Sequence, residues 1–120
     1  MPFDWREYLK LARELIGQTG SGYSEEAAKR SAVSRAYYAA FCWARNYAEA
    51  NWGFRRTATA EDHRRLREHL RGQRRMRLAS NLNKLRGWRN DCDYDDEVPN
   101  LEQFVKSAIR IAGKVIQECR

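Results

Sequence analysis

Between residues 85 and 94 the chain runs Leu85, Arg86, Gly87, Trp88, Arg89, Asn90, Asp91, Cys92, Asp93, Tyr94, setting two cations that suit phosphate among carboxylates and a phenol. Arg89 lies seven residues after Leu82. Two helical turns bring such a pair within about 20° of each other. The spacing therefore predicts that Arg89 continues an inward leucine stripe and turns its guanidinium toward the bundle or toward a partner chain. A cation there requires a counterpart. Asp93 is one and a bound phosphate is another, so a locally paired capping arginine and an anion clamp both stand at this point.

The stretch from Arg55 to Arg77 adds nine arginines against Glu61, Asp62 and Glu68, a balance of +6 within a chain of net charge +7. A solvated helix face usually mixes its signs, so this concentration reads as a phosphate-binding face. Docking of an acidic partner, including the acidic loop Asp91 to Glu97 of another copy, is the rival use. Arginine outnumbers lysine 18 to 5, which suits phosphate through its planar fork of donors and is also what a GC-rich genome produces. Arg64 and His69 have four residues between them and imitate an Arg-and-His motif, but on one helix they point about 140° apart. His63 or His69 could instead reach a shared cleft from a neighbouring helix. Trp52, Phe54 and Trp88 could stack on bases, although aromatics near helix ends more often close a core.

These residues need helices to position them. The chain of 120 residues has the size of one domain, and two prolines and seven glycines are too few for the turns of a β-sandwich. Trp5, Tyr8, Leu9, Ala12, Leu15 and Ile16 form one helical stripe, ended by Gly17 and Gly20. Ser24 before Glu25 and Glu26 caps the longest helix, whose inward face holds Val33, Ala36, Tyr37, Ala40, Phe41 and Ala44. Thr59 before Glu61 and Asp62 is expected to open a short basic helix to about Arg71, closed by Gly72. A fourth helix is expected from about Met76 to Asn90, where the run Asp91 to Glu97 is too charged to continue it. Pro99 and Asn100, with Gln103, are expected to start the last helix, with Leu101, Phe104, Val105, Ala108 and Val115 inward. The expected fold is an all-α, up-and-down bundle of about five helices. Apolar surface for pairing two chains is expected on the second and fourth.

Cys42, Cys92 and Cys119 lack the paired spacing of a zinc site. Their odd number, with no signal peptide and no apolar run approaching about 18 residues, points to a cytoplasmic chain outside the membrane.

The run Ser34, Arg35, Ala36, Tyr37, Tyr38, Ala39, Ala40, Phe41 resembles the second-helix signature of small prokaryotic HEPN proteins (higher eukaryote and prokaryote nucleotide-binding). Arg89, Asn90, Asp93 and Tyr94 are similar to the ending found two helices later in that group, and His63 falls near a histidine the group often carries. The resemblance covers Ser31 to Asp95. It implies a metal-independent ribonuclease or toxin-like RNA-acting protein without a cofactor, working as a homodimer and commonly paired with a nucleotidyltransferase-type protein. In that reading Arg89, Asn90, Asp93 and Tyr94 form the catalytic motif. Arg86, Arg35, His63, Arg64, Arg67 and Arg71 contact RNA or nucleotide.

The motif in that group is an arginine, four to six residues, then a histidine, and here Tyr94 stands where the histidine belongs. Tyrosine titrates near 10 and histidine near about 6.5, so a tyrosine is a poor base at neutral pH. If RNA is cut, the 2′-hydroxyl is expected to attack the adjacent phosphate while Arg89 and Arg86 stabilise the growing charge, with Tyr94 orienting or protonating. A nucleotidyltransferase partner would find its target in Tyr94. The alternative is a non-catalytic module that binds nucleotide, RNA or a partner.

Overall fold

Five helices are present in the computed structural model, which describes residues 2–17 and 22–120: α1 (Arg6–Leu15), α2 (Glu25–Asn51), α3 (Asp62–Gly72), α4 (Met76–Tyr94) and α5 (Leu101–Glu118). No strand occurs among the described residues, and no described helix is long and apolar enough to cross a membrane. The 27 residues of α2 rise about 40 Å and span most of the 45 Å long axis. Helices α1, α4 and α5 pack around α2, and α3 lies on α4.

Helix α2 starts as its sequence predicts. Ser24 is extended, and its hydroxyl accepts the Ala27 amide at 3.0 Å. The buried face carries Ala32, Ala36, Ala39, Ala40, Ala44 and Ala48, all with no exposed surface, so the neighbouring helices can approach closely. Against it lie Leu9 and Ala12 of α1, Leu82 and Leu85 of α4, and Val105 and Ala112 of α5. The Lys29–Glu102 ion pair and a 2.9 Å bond from the Trp43 indole to the Cys119 carbonyl tie α2 to both ends of α5. At the end of α1 the Gly17 amide bonds the Glu14 carbonyl at 3.0 Å; Gly20 lies outside the described residues.

Several expected boundaries move. The fourth helix runs four residues past Asn90 and takes in Asp91, Cys92, Asp93 and Tyr94. The reason lies far away in sequence. The guanidinium of Arg30 on α2 donates to the carbonyls of Cys92, Asp95 and Asp96 at 3.3, 2.5 and 2.9 Å, so a cation satisfies the carbonyl end of the helix and offsets the local acids.

Thr59 does not cap α3 with its hydroxyl, which bonds Thr57 instead. The buried Asp62 carboxylate, just inside the helix, accepts the Thr57 and Ala58 amides and pairs with Arg65 at 2.8 Å. Although burial alone would raise its pKa, these bonds hold Asp62 well below the usual carboxylate range. Gly72 is the last residue of α3 rather than the residue beyond it, and Arg74 makes the left-handed turn at φ 61°. Asn100 also adopts φ 61° and makes no side-chain cap; its carbonyl accepts the Gln103 and Phe104 amides. Among the described residues, the most exposed large apolar side chains are Phe3, Leu11 and Ile16 on and around α1, Tyr23 just before α2, and Met76 and Tyr94 at the two ends of α4, while α2 presents the half-buried Tyr38, Trp43 and Tyr47.

Replacing Arg30 with alanine removes three charge-assisted bonds. It should destabilise the fold by about 1–3 kcal/mol and fray α4 from Asp91 to Tyr94. Hydrogen exchange checks this: amide protection at Tyr94 and Asp95 should fall in the variant while protection around Leu82 persists, and equal protection at both ends would show that the cap is dispensable.

Candidate functional site

Where the C-terminal half of α4 faces α3, a cleft of about 630 Å³ opens, lined by Tyr38 of α2, by Glu61, His63, Arg64 and Arg67 at and along the start of α3, and by Arg86, Arg89 and Tyr94 of α4. Three helices contribute. Residues 63, 64 and 67 are one helical face, and 86 and 89 are another, so these two faces meet.

Arg89 is tucked against α4. Its Nε lies 2.9 Å from Asp93 Oδ2, one turn ahead, in an ion pair that lacks the alignment of a hydrogen bond, while its terminal amine donates to Asn90 Oδ1 at 2.9 Å. Asp93 is thus the counter-charge that its position requires. Ser34, buried on α2, contacts the same Asp93 oxygen at 3.4 Å. The Arg89 guanidinium sits 5.2 Å from the centre of the Tyr38 ring and 5.7 Å from that of Tyr94, within cation–π range of both.

The remaining cations differ in how they are balanced. Arg64 is held by Glu61 and, at 2.8 Å, by Glu68. Arg67, only 9% exposed, donates to the His63 carbonyl at 3.0 Å, and among the described residues neither it nor Arg86 forms an ion pair. Burial, then the nearby Arg86 charge, lowers the Arg67 pKa. Arg67 and Arg86 thus line one cleft, close enough for their charges to repel, and neither has a carboxylate partner among the described residues. An anion entering the cleft would relieve that repulsion.

His63 completes the site from a position remote in sequence. Its ring stacks on Phe41 with centres 4.1 Å apart and planes at 11°, and its Nδ1 is hydrogen-bonded to the Tyr37 hydroxyl. Nε2 has no hydrogen-bond partner among the described residues. Burial lowers the His63 pKa, and repulsion from Arg89, Arg86 and Arg67 lowers it further. The imidazole is therefore neutral at pH 7. Tyr37 is almost fully buried, which pushes its phenol far above its ordinary value and keeps it protonated. The shared proton arrangement sets the tautomer: a Tyr37 O–H donated to Nδ1 makes Nε2 a donor, whereas Nδ1–H donated to Tyr37 leaves Nε2 a base.

Other expected residues fall elsewhere. Arg71 is exposed and does not line the cleft, although its charge reaches Arg67. Arg35 lies outside it too, with its guanidinium 4.8 Å from the Tyr8 ring centre and 5.4 Å from that of Tyr38. His69 is taken up by structure, bonding the Trp52 carbonyl at 2.6 Å. The aromatics considered for base stacking pack instead: Phe54 is buried, Trp52 lies under Arg75, and Trp88 stacks on Phe104. Tyr38 and Glu61 line the cleft although neither is among the expected site residues. Ser34, one turn before Tyr38, marks the same face, and a serine among inward alanines was the available signal.

Titration of the His63 ring by NMR should give a midpoint below 6.5, and Arg89→Ala should raise it, because one of three repelling cations is gone. An unchanged midpoint would show that Arg89 does not act on the imidazole. Compared with protein-family models, curated proteins and solved structures, the chain matches none.

Proposed function

We propose that the protein is an RNA-acting protein of the HEPN kind whose cleft grips a phosphodiester and cleaves it without a metal ion. The observation that carries this reading is that Arg67 and Arg86 line one cleft with His63 and have no carboxylate partner among the described residues. Arrays of this type bind phosphate oxygens by paired, charge-assisted hydrogen bonds.

In the proposed reaction Arg86 and Arg89 hold the non-bridging oxygens, whose charge grows as the 2′-hydroxyl attacks the adjacent phosphorus. His63 Nε2 takes the 2′-hydroxyl proton while Nδ1–H donates to the Tyr37 oxygen. The 5′-oxygen leaves with a proton from water, and a 2′,3′-cyclic phosphate remains on the other product. His63 replaces, from α3, the histidine that Tyr94 displaces from the motif. Tyr94, 72% exposed, then acts at the mouth of the cleft. It is also the accessible hydroxyl that a nucleotidyltransferase-type partner would modify, and pairing with such a partner and with a second copy belongs to the same reading.

A second reading, a module that binds RNA or nucleotide without cutting it, is favoured by the burial of Tyr37. Its hydroxyl has no polar partner other than His63 among the described residues. Donating its proton to Nδ1 satisfies the buried group and turns Nε2 into a donor that binds phosphate rather than a base.

Incubation with transfer RNA in EDTA separates the two. Cleavage should yield 2′,3′-cyclic phosphate ends, fall at least roughly 100-fold in Arg89→Ala and in His63→Asn, and rise with pH through a midpoint below 6.5 before levelling off. No products from the parent protein, with salt-sensitive RNA binding that weakens in Arg86→Gln, would leave the binding module.

A further inference from the structure

On the opposite side of α4 the protein carries a second cationic surface, which takes no part in the cleft. Two adjoining hollows of about 670 and 480 Å³ share Arg110, Lys114, Gln117 and Arg120 of α5 and the C-terminus. One is walled by Arg77, Asn81 and Lys84 of α4, the other by Arg6, Lys10 and Arg13 of α1. Each set follows helical spacing: residues 6, 10 and 13, residues 77, 81 and 84, and residues 110, 114 and 117 form three stripes, with α5 in the middle. Arg77 and Lys84 point roughly 120–180° away from Arg86 and Arg89 around α4, so the two surfaces are separate.

The charge balance here is not that of an ordinary solvated face. Glu118 is the one acidic side chain among the lining residues. Arg6 and Lys10 are paired with Asp4 and Glu7 outside the groove. Among the described residues no ion pair is formed by Arg77, Lys84, Arg110, Lys114 or Arg120. Arg110 and Lys114 stand one turn apart as a like-charge pair, an arrangement that weakens a helix. Stability therefore does not account for this surface.

We infer that the α1–α5–α4 groove is a second binding surface, for the sugar-phosphate backbone of a single-stranded nucleic acid, and that it acts independently of the cleft. Its concave shape and unpaired cations match a polymer that carries a charge at each step. Asn81 and Gln117 add neutral hydrogen-bonding groups along the same track. The lining includes no aromatic side chain, so recognition is of the backbone rather than of base identity.

The test is fluorescence anisotropy with an unstructured, end-labelled RNA of about 20 nucleotides over a series of salt concentrations. It compares the parent protein, the double variant Arg110→Gln/Lys114→Gln and the cleft variant Arg86→Gln/Arg89→Gln. These α5 positions are exposed, and an unchanged thermal midpoint verifies the fold. The α5 variant should bind roughly tenfold more weakly at low salt, and its slope of log affinity against log salt should shrink by about 1.4, or about 0.7 per lost phosphate contact. A dinucleotide competing at the cleft should be unaffected. Unchanged affinity and slope would overturn the inference. So would an equal loss of binding to phosphatidylserine vesicles or polyglutamate, which would make the surface a general polyanion or acidic-partner site. Loss of RNA affinity in the α5 variant alone would support the groove even where the cleft variant has no effect.

Discussion

The arrangement of this protein depends on how closely α2 lets other helices approach. Its inward face is largely alanine, and those alanines have no exposed surface, so α1, α4 and α5 can all pack against one central rod. Large side chains on that face are consequently conspicuous. Tyr37 and Phe41 project from it one turn apart and provide the platform on which His63 of α3 stacks. A bulkier residue at Ala36 or Ala40 would push the neighbouring helices outward, and overpacking of this kind costs about 1–3 kcal/mol. It would also separate the groups that line the cleft.

Electrostatics works against the same packing. Bringing Arg64, Arg67, Arg86 and Arg89 to one cleft places like charges together where burial limits screening by solvent. The fold offsets part of this: Asp93 faces Arg89, and Glu61 and Glu68 hold Arg64. Arg67 receives only a carbonyl oxygen, and Arg86 receives no ion-pair partner among the described residues. Solvated positions for these side chains would have been less costly. An anion entering the cleft would offset the uncompensated remainder, and the same cations add to the effect of burial in lowering the pKa of the adjacent imidazole.

Regular periodicity made most of the architecture legible. The stripes along α2, α4 and α5 predicted buried Val33, Ala40, Leu82, Leu85 and Val105, all of which are inside. What the sequence hid depended on contacts between distant residues. The run Asp91 to Tyr94 reads as too acidic for a helix until Arg30, some 60 positions earlier, supplies the missing cation. Thr59 has the chemistry of a cap, but Asp62 has the geometry, because its buried carboxylate can reach two amides at once. The cleft was legible as an inward Arg89 within a cationic region. His63 was legible only as one of two histidines that could reach that cleft from a neighbouring helix; the packing of α3 on α4 brings His63 there and leaves His69 bonded to the Trp52 carbonyl.

In the proposed reading, that arrangement changes what a tyrosine at position 94 means. An arginine and a histidine with four residues between them on one continuous helix point about 140° apart, so such a motif does not converge within a single chain and needs a second chain or a break in the helix. Here α4 continues unbroken through Tyr94, so Tyr94 stays at the exposed mouth of the cleft, with the Arg89 guanidinium 5.7 Å from its ring centre. The imidazole that shares the cleft with Arg89 comes instead from α3 of the same chain, across a helix interface whose spacing is set by α2. A guanidinium and an imidazole thus line one cleft within a single protomer.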